Sequence, residues 1–171
     1  MKLTEEMLIA VLMGGPGAER EVSIASGRSV VQALGARGYR VKGVDVVDTN
    51  PELPEGTGLV FNVIHGTFGE DGKLQSYLEA LGIPYTGAGV KSSEVVFDKN
   101  LSKKCFLEHG VPTPASEIVN CADGVKLPEM SVPFVVKPPR EGSSVGIRVV
   151  KNVSESMAAI EKASRFSSDL L

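Results

Sequence analysis

Leu8-Ile-Ala-Val-Leu-Met-Gly-Gly15 is the stretch that decides the fold. Six apolar residues without alternation, stopped by two glycines, read as a strand buried on both faces. Gly14 to Gly17 then form a loop. Beyond it, Val22, Ala25, Val30, Ala33 and Leu34 recur at roughly helical spacing, and Gly38 ends that segment. Val41 to Val47 reads as a second strand. A Pro-containing link over Asn50 to Gly58 leads to a third strand at Leu59 to Ile64. Leu74, Tyr77, Leu78 and Leu81 fall at i, i+3, i+4 and i+7, the stripe of a helix closed by Gly82. Strands alternating with helices imply an α/β fold with an open parallel sheet and flanking helices.

The remainder has a different rhythm. Asp98 to Glu108 reads as a helix, stopped by His109-Gly110 and Pro112. Ala115 to Val119 is a strand candidate. Val132 to Lys137 and Gly146 to Lys151 read as strands joined by a short loop, which predicts an antiparallel pair. Ser154 is placed to cap a last helix carrying Met157 and Ile160. The expected division lies near residues 92–97, giving an α/β unit over 1–95 and a smaller α+β unit over 96–171. The chain closes on Ser-Arg-Phe-Ser-Ser-Asp-Leu-Leu171, directly after a helix-like stretch and without a polar tail.

Composition removes several classes. Eighteen basic and twenty-one acidic residues give a net charge of -3, with no basic tract, which argues against nucleic acid as a partner. No apolar run approaches the roughly 18 residues of a membrane span. The first residues lack a basic start and a small-residue cleavage site, so no export signal is expected and the protein is read as cytoplasmic. Cys105 and Cys121 show no metal spacing, and Cys105 reads as a packing residue. Two glycosylation sequons, at Asn100 and Asn152, then read as chance.

Three loops carry the candidate chemistry. Residues 14–23, Gly-Gly-Pro-Gly-Ala-Glu-Arg-Glu-Val-Ser, lack the third glycine of a dinucleotide fingerprint, and Glu19 and Glu21 would repel a phosphate. Glu21 reads as a complement to the helix dipole. For Glu19 two readings stand level: dipole complement, or a site for a substrate ammonium. In the second loop, His65 to Gly72, residues Gly66 to Lys73 approach a P-loop, but the spacing is one residue too long and Leu74 replaces Ser/Thr. His65, at a strand end, is either a structural histidine or a ligand contact. Glu70 and Asp71 read as helix starters. The third loop, Lys137-Pro-Pro-Arg-Glu-Gly-Ser-Ser-Val-Gly146, sets a lysine at the end of an apolar strand beside backbone and hydroxyl donors. Such a set could cradle nucleotide phosphates. Lys99, Lys103 and Lys104 either add positive charge there or form a solvated face.

These loops, together with Gly82-Ile-Pro-Tyr-Thr-Gly87 and Asp98-Lys-Asn-Leu-Ser-Lys-Lys104, occur in the order seen in D-alanine–D-alanine ligases of the ATP-grasp superfamily. The chain resembles that family from Leu8 onward. The resemblance implies an N-terminal α/β domain of the pre-ATP-grasp type, then an ATP-grasp subdomain, with a C-terminal domain absent here. It implies ATP-dependent joining of two D-alanines through an acylphosphate, for peptidoglycan precursors. It implies that Glu19 meets the first D-alanine's ammonium and that His65 lies near its carboxylate. Lys99 and Lys137 resemble the ATP-phosphate lysines. Ser143 resembles the serine linked to the first-substrate site, and Ser144 its neighbour in the phosphate-covering loop. Mg2+ is implied, with its ligands expected beyond Leu171. A homodimer through the N-terminal domain is implied as well. Two other readings remain: a D-alanine–D-lactate ligase, and a non-catalytic module derived from the same family.

Overall fold

A computed structural model describes residues 7–142 and 144–171. It divides into two compact units, Met1–Glu94 and Val95–Leu171. The first is built on β1 (Leu8–Gly14), α1 (Arg20–Ala36), β2 (Val41–Val46), β3 (Thr57–Asn62) and α2 (Lys73–Ala80). The sheet order is β2-β1-β3, all parallel, with Ile9 paired to both Val41 and Leu59. A parallel bridge from Val60 to Tyr85 continues it beyond β3.

Central β1 explains its own sequence. Side chains alternate across a strand. Ala10 and Leu12 enter a core with Val60, Phe68, Leu74 and Leu78. Ile9, Val11 and Met13 enter the opposite core, packed with Ile24, Val31 and Leu34 of α1. Both faces are therefore buried, and polar alternation is lost. Close approach of α1 requires Gly27, where a Cβ would lie 2.5 Å from Cβ of Met13.

The second unit holds α4 (Lys99–Glu108), β4 (Val119–Asn120), β5 (Phe134–Val136), β6 (Arg148–Val150), α5 (Ser156–Ser164) and β7 (Asp169–Leu170), with α3 (Val90–Phe97) crossing the division in sequence. β5 and β6 pair antiparallel, as the sequence predicts. β4 pairs antiparallel with β7. Leu171 exchanges two 2.9 Å backbone hydrogen bonds with Lys137, so the closing residues extend the β5 ladder. The core beneath is Phe134, Val136, Val150, Ile160, Ala163 and Leu170.

Several local expectations change. The strands expected over Val132 to Lys137 and Gly146 to Lys151 shrink to Phe134–Val136 and Arg148–Val150. α3 is absent from the sequence reading, because Val-Lys-Ser-Ser-Glu-Val-Val-Phe carries neither a strong apolar stripe nor good helix formers. β3 begins two residues early, at Thr57. The strand expected over Ala115 to Val119 shrinks to Val119–Asn120. Ser154 does not cap α5; it lies inside a 3-10 turn, Val153–Glu155, and Glu155 holds the N-cap position. Among the described residues, no helix is long and apolar enough to cross a membrane.

Candidate functional site

In the first unit, two loops leave the C-terminal ends of β1 and β3, the edge where open parallel sheets bind ligands. The fully buried Ser23 fastens them: its hydroxyl accepts from Gly14 N (2.9 Å) and donates to Val63 O (2.7 Å). Arg20 adds a clamp to β2. Its guanidinium donates to both Asp45 oxygens (2.7 and 2.8 Å) and to Val46 O (2.7 Å). The backbone at the mouth of the loop is thereby fixed before any ligand arrives.

Glu19 stands at the N-cap position of α1 but makes no side-chain cap hydrogen bond. Its carboxylate instead reaches the second loop. A Cβ on Gly66 would sit 2.9 Å from Glu19 Oε2, and Gly66 has a φ of 68°, so only glycine suits this position. Glu21 lies in the first helical turn, in keeping with the dipole reading. Glu19 and the residue after His65 are thus neighbours, although 46 positions separate Glu19 from His65 in the chain.

The second loop is held from below. Asn62 Nδ2 and Gln75 Nε2 both donate to Gly69 O at 2.8 Å. Phe68, buried to 2% exposure, adopts a φ of 75°; burial of its ring offsets a conformation that costs about 1–3 kcal/mol. Glu70 accepts from Gly66 N (3.0 Å) and stands 3.9 Å from His65 Nδ1. Glu70 therefore closes the loop and faces the histidine rather than starting α2. Asp71 does serve the helix, accepting from Lys73 N at 3.1 Å.

In the second unit, Lys99 opens α4 beside the third loop. Its Nζ donates to Glu141 O (2.7 Å), with Pro139 O at 3.4 Å, and its backbone N donates to Pro139 O at 3.0 Å. Burial, and then the nearby Lys137 ammonium, hold Lys99 below the ordinary lysine pKa, against the opposing pull of Glu141 and Asp98. Both lysines line one cavity of about 520 Å³, walled by apolar residues including Phe134, Val136 and Met130. Lys103 joins the lining and donates to Thr113 Oγ1 (2.9 Å) and Pro114 O (2.6 Å). Lys104 is solvated, 4.0 Å from Glu108. The lysine pair thus divides between the two readings open to it.

Ser144 is exposed, with a φ of 66°, in the turn closed by Val145 N to Gly142 O. Ser143 lies outside the described residues. Asp98, read from the sequence only as the start of a helix, caps α4 and binds Arg140 Nε at 2.8 Å. The signal was available: an Asp directly before a helix-like run. Cys105 and Cys121 are free thiols, and Cys105 Sγ lies 3.8 Å from His109 Nδ1.

Comparison with known proteins gives the chain a family. A family model for the D-ala D-ala ligase N-terminus matches residues 42–88, and one for the D-ala D-ala ligase C-terminus matches residues 114–171. A D-alanine–D-alanine ligase of Pelobacter propionicus is 46% identical over 167 residues. The chain belongs to the D-alanine–D-alanine ligase family. Its match to that ligase covers 95% of this chain and 54% of the relative. A second ligase of the family, from Methylacidiphilum infernorum, is 44% identical over 92% of this chain and 51% of its own length. The chain spans about half the length of the curated relatives it matches. Among solved structures, the Bacillus anthracis D-alanine–D-alanine ligase superposes with a TM-score of 0.81 at 32% identity, covering 96% of this chain and 56% of that one. The Helicobacter pylori ligase gives a TM-score of 0.80 at 27% identity, covering 96% and 62%. The α/β fold read from the sequence is the fold of this ligase family.

Proposed function

We propose that this chain is the portion of an ATP-dependent D-alanine–D-alanine ligase that holds the first D-alanine and the phosphates of ATP. One observation carries the reading: Lys99 and Lys137 are held near one another on a single cavity, beside a glycine- and serine-containing turn. Two like charges kept together in a half-buried place repel, and an anionic ligand offsets that repulsion. The residues fit a nucleoside triphosphate: two ammonium groups and a turn rich in backbone donors for phosphates, with an apolar wall adjoining.

When bound, ATP supplies the phosphoryl group that activates a D-alanine carboxylate, as an acylphosphate, for attack by a second D-alanine's amine with loss of inorganic phosphate. In this reading Lys99 and Lys137 take up phosphate charge, while Ser143 and Ser144 belong to the covering loop. Glu19, brought against Gly66, receives the first D-alanine's ammonium, and His65 lies by its carboxylate. Residues 1–95 would then form the first-substrate domain and 96–171 the phosphate-binding subdomain. Mg2+ does not fit the residues present: among the described residues, no group of three or more His, Cys, Asp or Glu could hold a metal ion. A role in peptidoglycan precursor synthesis, a cytoplasmic location and a homodimer through residues 1–95 belong to the same proposal.

The test is phosphate release by the protein expressed from its complete reading frame. Release from ATP is expected only when D-alanine is supplied. Release indifferent to D-alanine overturns the reading. Mass analysis of the product with D-lactate added distinguishes a dipeptide from an ester-linked product.

A further inference from the structure

Asp98 is an aspartate that ordinary helix capping does not exhaust. Oδ1 accepts from Asn100 N (2.9 Å) and Leu101 N (3.3 Å), which satisfies the start of α4. Oδ2 takes Arg140 Nε at 2.8 Å. The two residues are 42 apart in sequence, and they differ sharply in exposure: the Asp98 side chain is 9% exposed and that of Arg140 72%. The neighbouring Lys99 adds three contacts to the same strip of loop, through Pro139 O twice and Glu141 O once. Helix start and loop are thus joined at Pro139, Arg140 and Glu141 in succession.

We propose that Asp98 is a positioning residue: through Arg140 it fixes residues 139–142 of the loop against the start of α4, so that loop and Lys99 meet a phosphate in one set geometry. The inference rests on the nucleotide reading above. A mobile loop would have to be ordered on binding, and that ordering costs affinity; a loop already clasped avoids it. Carboxylate and guanidinium suit the task because the bond is charge-assisted and directional. Capping α4 needs only Oδ1, and that role survives in Asp98→Asn, whose amide oxygen also caps. The two roles are therefore separable by substitution.

The test uses the protein expressed from its complete reading frame, with ADP as the probe. Amide hydrogen exchange is followed at Glu141, Gly142, Ser144 and Val145, with Val135 and Val149 of the β5–β6 pair as internal controls. In Arg140→Ala and in Asp98→Asn, loop exchange is expected to quicken about 3–10-fold with the controls unchanged. ADP affinity, from chemical-shift titration, is expected to fall by about the same factor. Arg140→Lys restores part of both, and the double variant Asp98→Asn/Arg140→Ala loses no more than either single one. Unchanged loop exchange overturns the inference while leaving the nucleotide reading intact. Faster loop exchange with unchanged ADP affinity also overturns it, since the clasp is then structural only. No ADP binding by the unsubstituted chain overturns the nucleotide reading, and with it the positioning role.

Discussion

Asp98 also sets an acid limit for the second unit. Burial alone would raise its pKa, but the hydrogen bond from Arg140 and the two backbone N–H groups of α4 outweigh burial and hold it below the ordinary 3.8. The folded state therefore favours the ionised form. The stabilisation is complete well above pH 3.8, declines as the pH falls through the folded-state value, and is gone below it. Urea midpoints measured between about pH 3 and 6 should fall less steeply with acid in Asp98→Asn than in the unsubstituted chain. Parallel curves would show that Asp98 contributes nothing to acid sensitivity. In the first unit, Glu19 offers a different measurement. If it receives the ammonium of D-alanine, Glu19→Gln removes a charge-assisted bond worth about 1.5–3 kcal/mol, or roughly 10–150-fold in affinity. Titration of the chain with D-alanine, read by chemical shifts, checks this. An unchanged dissociation constant would leave Glu19 to the helix dipole.

Elements differ in how much of themselves the sequence declared. β1 was legible because two-sided burial removes polar alternation, and α2 because Leu74, Tyr77, Leu78 and Leu81 form a stripe. α3 and β7 were not legible. α3 has serines and β-branched residues where a stripe should be, and β7 is two residues long and exists only through its partner β4. The same limit governs the site. Glu19, His65, Lys99 and Lys137 stand out because charged or polar groups at the ends of apolar strands and loops are conspicuous. Ser23 does not stand out, because a serine in a helix is commonplace until its two long-range bonds are seen. Those bonds join β1, α1 and β3 at their functional ends. Ser23→Ala leaves Gly14 N and Val63 O without this partner in a buried place, at a cost of about 2–4 kcal/mol. A lower urea midpoint at unchanged slope is the expected result. A midpoint shift under about 0.5 kcal/mol equivalent would mean that water replaces the hydroxyl.

At the scale of the whole molecule, binding and turnover separate. Phosphoryl transfer needs charge on both sides of the migrating group, and positioned cations usually share that work with metal ions. This chain offers Lys99 and Lys137 on one cavity, but its described residues offer no metal-holding cluster. It spans about half the length of the curated relatives it matches. The 171 residues by themselves are therefore expected to bind nucleotide and to form no dipeptide. Binding should weaken about 10-fold in Lys99→Ala or Lys137→Ala, and should fade with added salt because it is charge-driven. Two measurements on one sample decide the matter: ADP titration at low and high salt, and mass analysis of a long incubation with ATP, Mg2+ and D-alanine. Dipeptide in amounts exceeding the protein would sink the expectation, because this half would then hold a complete catalytic apparatus. Salt-insensitive ADP binding would sink the other part, because apolar contact in the cavity, and not the lysine pair, would then be holding the nucleotide.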